Sequence, residues 1–329
     1  MKYILCSKCF EDYGLSKMAE RIGEKALTVC PNCGCQDGIK LSDEKLDELC
    51  SAYFVEGSYH KMPFGGSPVF IINKTKDEVC VDSFNIHIQR DMKLIWKKTH
   101  QTPVLYGPPM WRVGISEWID RLTSKNYQIR RNTIDKLISR CNIKEITEEN
   151  ELYRIRINVD SPTKDLSFDA PDTQKYTEGR FNIKNDVVFY ASFDVDTCIH
   201  ECRISMEDVI YVATLKPCKK LCLLDLTDIT EDESEEVPFE YLPMIVNQIL
   251  YAGKQSYVIT RLLSKAAQEK GFDGIMYPSY FNNVRASIYS NVVLFGQVIR
   301  RGIVRVKSID RIQLRQVDYK YEFGPSFIL

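Results

Sequence analysis

Gly179-Arg180-Phe181-Asn182, followed by Val187-Val188-Phe189-Tyr190 and then Thr197-Cys198-Ile199-His200-Glu201, is the stretch on which the fold of this chain turns. A glycine beside an arginine lets backbone and guanidinium approach one anion together, and arginine can take a phosphate through two parallel hydrogen bonds. Residues 187–190 have the β-branched and aromatic content of a short buried strand. Asp194 or Asp196 can then start a helix that carries Glu201 back toward the strand end. A cation, an aromatic ring and a carboxylate would line one cleft, which suits a ligand bearing both phosphate and positive charge. The same residues taken singly also describe a solvated arginine, a core tyrosine and a helix-surface glutamate.

Downstream, residues 209–214 and 221–226 read as strands, and 256–270 as a helix ending at Gly271. Residues 274–279 are strand then turn, with Ser279 emerging at the strand end, and 291–295 are another buried strand. Residues 231–236 are an acidic run expected as a solvated loop. Upstream, Leu152-Tyr153-Arg154-Ile155-Arg156-Ile157 alternates as a strand would, with Arg154 and Arg156 on one face. The polar segment 144–150 reads as a linker between domains. Residues 115–141 read as two helices split near Lys125-Asn126, 83–98 as a buried helix, 69–72 as a strand, and 106–111 as a rigid aromatic turn. Residues 42–53 read as a helix capped by Ser42.

The N-terminus carries a different chemistry. Cys6-x2-Cys9 and Cys30-x2-Cys33 set four thiolates at the spacing of a zinc ribbon, with Gly34 allowing the tight turn that aims the sulfurs inward. Four sulfurs close the coordination shell, so the zinc would be structural. Cys35 is a neighbouring thiol outside that set.

At 329 residues the chain can bury roughly two cores. Charged residues make up 27% and hydrophobic ones 44%, as in a soluble globular protein. No apolar run approaches the ~20 residues that span a bilayer, and the start runs straight into a cysteine motif, so a cytoplasmic location is expected. Residues 1–150 carry 22 Lys and Arg against 20 Asp and Glu, and the remainder 22 against 25. That balance lacks the basic bias of a dedicated nucleic-acid binder. Twelve cysteines without a secretory leader point to metal ligands and buried thiols rather than disulfides.

The C-terminal half resembles the RES-domain family, named for an arginine, a glutamate and a serine. The resemblance spans residues 151–296 and rests on six ordered motifs. These are Leu152-Tyr153-Arg154, Gly179-Arg180-Phe181-Asn182, Tyr190 eleven positions before Glu201, and Leu223-Leu224-Asp225-Leu226-Thr227. Gly271-Phe272-Asp273-Gly274-Ile275 running into Tyr277-Pro278-Ser279, and Asn291-Val292-Val293-Leu294-Phe295, complete them. The first half is similar to the zinc-ribbon and helical extension that precedes some RES domains, through Cys30-Pro31-Asn32-Cys33, Phe54-Val55-Glu56-Gly57-Ser58 and Trp111-Arg112-Val113-Gly114.

The resemblance implies an α+β fold like that of ADP-ribosyltransferases, with two small mixed sheets around a dinucleotide cleft. The domains would be a ribbon over 1–40, a mainly helical extension over 41–143, a linker at 144–150 and a RES domain over 151–329. It implies NAD as substrate, cleaved at the nicotinamide–ribose bond, with water or phosphate as acceptor. The setting implied is a bacterial toxin or defence effector held by an antitoxin or regulatory protein. Arg154 and Arg180 would clamp phosphate and ribose oxygens, and Tyr190 would face the nicotinamide ring. Glu201 would stabilise charge at the anomeric carbon, and Ser279 would bond the carboxamide or a ribose hydroxyl. Tyr153, Gly179, Asn182 and Asn291 join the substrate-binding set. The long N-terminal half departs from the compact toxin pattern and opens a sensing or restraining role. Two alternatives stay open: transfer of ADP-ribose to a protein or nucleic acid, and a non-catalytic zinc-ribbon protein that binds a partner. Self-association also stays open.

Overall fold

The computed structural model describes residues 2–56, 69–73, 86–105, 117–172, 179–182, 186–230, 246, 249–250, 254–279 and 290–317. The chain divides into two compact units, Met1–Ser124 with Asp232–Ser256, and Lys125–Glu231 with Tyr257–Leu329. The acidic run 231–236 and the aromatic turn 106–111 lie outside the described residues.

In the first unit, β1 (Tyr3–Cys6) is followed by α1 (Tyr13–Ile22), β2 (Lys40–Ser42) and α2 (Asp43–Cys50). Ser42 caps α2 by accepting from the Lys45 amide, and acidic Asp43 and Glu44 complement the helix dipole there. β3 (Val69–Asn73) pairs with β4 (Gln101–Leu105), and α3 (Ile86–Thr99) lies between them in sequence. The last helix of the unit is α4 (Glu117–Leu122). Leu5, Leu15, Leu41, Leu46, Tyr53, Met92 and Ile95 share one core, so ribbon and extension fold as one body. Asp91 on α3 accepts the Glu11 and Asp12 amides at 2.9 and 2.8 Å, tying it to the start of α1. Asp12 in turn caps α1 and accepts the buried Tyr53 hydroxyl at 2.9 Å.

The second unit begins with α5 (Tyr127–Ile138), capped by Asn126. The unit boundary therefore lies earlier than residues 144–150. Part of the segment read as a linker belongs to β5 (Cys141–Ile146), which runs antiparallel to β9 (Leu221–Ile229). Residues 142–145 of this edge strand are exposed on both of its faces, so its polar composition imitates a linker in sequence. The remaining elements are β6 (Leu152–Ile157), β7 (Val188–Ser192), α6 (Val195–Cys202) and β8 (Ile210–Pro217), then α7 (Tyr257–Glu269), β10 (Gly274–Pro278), β11 (Ser290–Phe295) and β12 (Val304–Ile312). Gly271 ends the run after α7 at φ +85°, a conformation that favours glycine.

The class is α+β. The eight strands form one mixed sheet in the order β12-β8-β6-β7-β11-β10-β9-β5, where two small sheets were expected. The two descriptions are related by a pinch at the centre of the sheet. β6 and β7 share a single pair, Tyr153 with Ser192, whereas β6 and β8 are paired from Leu152 to Ile157. Beyond that pair the strands part, so a three-stranded antiparallel part and a five-stranded mixed part open like a fork. α6 packs Val195, Cys198 and Ile199 against Tyr153, Ile155 and Val212 on one face. Phe168, Phe189, Leu223, Val292 and Leu294 fill the core on the other.

Candidate active site

Glu201, on the last turn of α6, is the meeting point of three distant segments. Its Oε1 accepts from Ser279 Oγ at 2.8 Å and from Asn291 Nδ2 at 2.7 Å. Ser279 and Asn291 are buried and stand side by side, because β10 and β11 pair Tyr277 with Asn291 and Pro278 with Ser290. Asp194 fixes the start of α6 by accepting the Thr197 amide and hydroxyl at 2.7 and 2.6 Å. Both donors fall on one carboxylate oxygen, so the group is held at fixed orientation with Oε2 free of hydrogen bonds among the described residues. Glu201 itself is exposed to solvent. Burial, with the Glu201 charge second, raises the Tyr277 phenol well above its ordinary range. The Tyr277 ring packs against Phe181 at 5.1 Å between centroids.

The Gly179-Arg180 turn is built onto the same face. Tyr190 OH accepts the Phe181 amide at 3.2 Å, Thr260 Oγ1 donates to the Arg180 carbonyl, and Arg261 Nε donates to the Gly179 carbonyl at 3.2 Å. A Cβ at position 179 would sit 3.1 Å from Tyr190 OH and from the Asn182 side chain, so close approach favours glycine here. Arg180 Nη1 is buried and has no hydrogen-bond partner among the described residues. A buried, unpartnered N–H of a cation is costly unless an anion completes it. Burial pushes the Tyr190 phenol up to about 12, so it is a neutral hydroxyl. Its oxygen holds the turn in place.

Arg154 takes partners other than those expected of a phosphate clamp. It is 5% exposed, lies 4.4 Å over the Phe189 ring, and donates to the Tyr190 carbonyl and, at 3.3 Å, to the Asp169 carbonyl. Arg156 donates to that same Asp169 carbonyl at 2.6 Å. The guanidinium thereby bridges β6 to β7 where their own ladder fails, and its contact with Tyr190 ties the fork to the Gly-Arg turn. Burial, reinforced by the adjacent Arg156 charge, lowers the Arg154 pKa to about 9, which leaves it cationic at neutral pH. Tyr153 packs beside α6 and donates to Glu151 at 3.1 Å. Asn182 is buried next to Gly179.

Of the residues singled out in sequence, Glu201, Ser279 and Asn291 meet directly, and Gly179, Arg180 and Tyr190 form a second group linked through Phe181 and Tyr277. The sequence reading missed Tyr257, Thr260 and Arg261. They recur at three- and four-residue spacing on α7, which the sequence reading took only as a helix ending at Gly271.

In the first unit, Cys6, Cys9, Cys30 and Cys33 bring their sulfurs within 4.8 Å of one another. The spacings Cys6–Cys9, Cys6–Cys33 and Cys9–Cys30 are 3.8, 3.5 and 3.5 Å. Zn–S bonds of ~2.3 Å in a tetrahedron give sulfur separations of about 3.8 Å, so this donor set fits zinc. Gly38 is required beside it, because a Cβ there would lie 2.5 Å from Cys6 Sγ. The fully buried Lys40 closes the ribbon by donating to the carbonyls of Cys35, Gln36 and Gly38. Cys35 stands outside the four-sulfur cluster.

A pinched α+β sheet joins a carboxylate, a serine and an asparagine, and through the Phe181–Tyr277 contact it reaches an arginine-bearing turn. The chain belongs to the RES-domain family, whose model matches residues 151–315 and so reaches through β12. It is similar to a chain in the crystal structure of the M. tuberculosis MbcT–MbcA toxin–antitoxin complex, at 14% identity and a TM-score of 0.37. That similarity covers 55% of this chain and 91% of the other. Comparison with curated proteins gave no match.

Proposed function

We propose that this chain cleaves NAD at its nicotinamide–ribose bond, passing ADP-ribose to water or phosphate. The observation that carries the reading is the Glu201 carboxylate, oriented through Oε1 by Ser279 and Asn291. In the proposed step the C1′–N bond breaks, and nicotinamide leaves neutral with the bonding pair. The ribosyl carbon left behind is oxocarbenium-like, and the fixed anion of Glu201 stabilises it. The oxygen of water or phosphate then bonds to that carbon and gives up its proton to solvent. Arg180 binds the anionic part of the substrate through its unpartnered Nη1, and Tyr190 keeps the turn that presents it.

The four cysteines would hold a structural zinc that stabilises the first unit and supplies no open coordination position. No helix among the described residues is long and apolar enough to cross a membrane. A toxin setting with a blocking antitoxin or regulatory protein belongs to the same proposal and rests on the family alone. The test is to incubate the purified chain with NAD, with and without phosphate, and identify products by mass spectrometry. Nicotinamide with ADP-ribose or its phosphate ester is the expected outcome. Absence of nicotinamide release refutes the proposal, and ADP-ribose appearing only on a macromolecule moves it to the transferase reading.

A further inference from the structure

We propose that Arg261 of α7 is the second guanidinium of the anion site, pairing with Arg180 to take a diphosphate; this rests on reading the cleft as a dinucleotide site. Arg180 and Arg261 lie over the same ring, with guanidinium carbons 5.8 and 5.4 Å from the Tyr257 centroid. Each cation is attracted to the ring's π-face. An anion bound at this pair of guanidiniums completes the buried Arg180 Nη1. A diphosphate carries two phosphoryl groups, each able to accept a pair of hydrogen bonds from a guanidinium.

The site is built in advance. Thr260 and Arg261 hold the carbonyls of residues 180 and 179, so α7 and the Gly-Arg turn are fixed to each other before a ligand arrives. Preorganised cations lose less freedom on binding than flexible ones. Arg154, the other cation expected to bind phosphate, directs both terminal nitrogens at backbone carbonyls. Arg261 thus takes the role that the family resemblance implied for Arg154.

The test uses Arg261→Gln, whose side-chain amide retains a donor for the Gly179 carbonyl but no charge, and Arg261→Lys, which restores charge without the fork. Titration calorimetry on the full chain should show inorganic pyrophosphate and ADP-ribose binding weakened on the order of tenfold in Arg261→Gln and partly recovered in Arg261→Lys. For NAD, KM should rise with kcat nearly unchanged, because the lost contact serves ground state and transition state alike. In the unmodified protein, pyrophosphate should also protect Arg261 and Arg180 from phenylglyoxal, read by peptide mass spectrometry. Unchanged pyrophosphate affinity in Arg261→Gln, failure of pyrophosphate to bind the unmodified protein, or an unprotected Arg261 overturns the inference. Arg261-dependent pyrophosphate binding without NAD turnover would leave this site standing while the proposed reaction fails. Turnover with unchanged KM in Arg261→Gln would do the reverse.

Discussion

Replacing Glu201 by glutamine isolates charge from shape. The new side chain keeps an Oε1 able to accept from Ser279 Oγ and Asn291 Nδ2, which now donate at 2.8 and 2.7 Å, so the three segments stay joined. What is lost is a full negative charge, which in the proposed reaction lies beside the carbon where positive charge develops. At about 4 Å and an effective dielectric near 20, that attraction is worth ~4 kcal/mol. Glu201 is solvent-exposed, so screening reduces this figure, and the expected loss is on the order of 100-fold in rate, as for removal of one preorganised stabilising group. NAD affinity should change little, because the ground state presents its own charge chiefly as phosphate. Single-turnover nicotinamide release and a direct NAD titration, on protein shown folded by circular dichroism, give the two numbers. Near-normal turnover in Glu201→Gln would refute the electrostatic role and leave the carboxylate a structural acceptor.

Three further outcomes follow from other parts of the chain. Cys30→Ser with Cys33→Ser should abolish zinc by metal analysis and lower the melting temperature of the first unit. NAD turnover should persist, since a four-sulfur shell has no open position. Gly274→Ala places a Cβ 2.1 Å from the Val293 carbonyl oxygen, where β10 meets β11, and should destabilise the second unit by more than ~2 kcal/mol in urea titrations. Burial pushes the Asp91 carboxyl up to about 7, against the opposing effect of the Glu11 and Asp12 amides. A folded-state pKa raised above the unfolded value favours folding while the group is protonated. That contribution is fully present below about pH 4 and lost as pH rises through 7, by on the order of 4 kcal/mol. Asp91→Asn should flatten the pH dependence of thermal stability over that window; an unchanged slope would show that Asp91 is ionised throughout.

Local signals in the sequence were reliable where one residue acts on its near neighbours. Ser42 and Asn126 cap the helices they precede, Asp194 caps α6, and Gly271 takes the left-handed turn after α7. The cysteine spacing placed four sulfurs together because each pair spans a single turn. Edge strands were less legible. β5 pairs on one side only and carries Asn142, Lys144 and Glu145 outward, a pattern that composition cannot separate from a linker. β12 was not anticipated for a related reason, since Arg305, Lys307, Ser308, Asp310 and Arg311 are all exposed along it. The meeting of Glu201 with Ser279 and Asn291, 78 and 90 positions away, depends on the β10–β11 register and has no local signature.

Arg154 shows why a motif can mark the right place and still leave the role of its side chain to the structure. A cleft between two parts of a sheet requires neighbouring strands to part, and parting leaves backbone carbonyls without ladder partners. β6 and β7 part just beyond Tyr153 and Ser192, and the Tyr190 carbonyl is one of the groups so released. A neutral side chain could satisfy one carbonyl, but a guanidinium reaches two from one planar fork, here those of Tyr190 and Asp169. Stacking on Phe189 then covers its apolar face. The same Tyr190 whose carbonyl receives Arg154 uses its hydroxyl to hold the Phe181 amide, and through it the Gly179-Arg180 turn. Opening of the sheet and placement of Arg180 are thus coupled through one residue. An arginine buried in the fork bridges the strands that part, while an arginine on the turn, held from α7 through its carbonyl, keeps a buried Nη1 without a partner among the described residues.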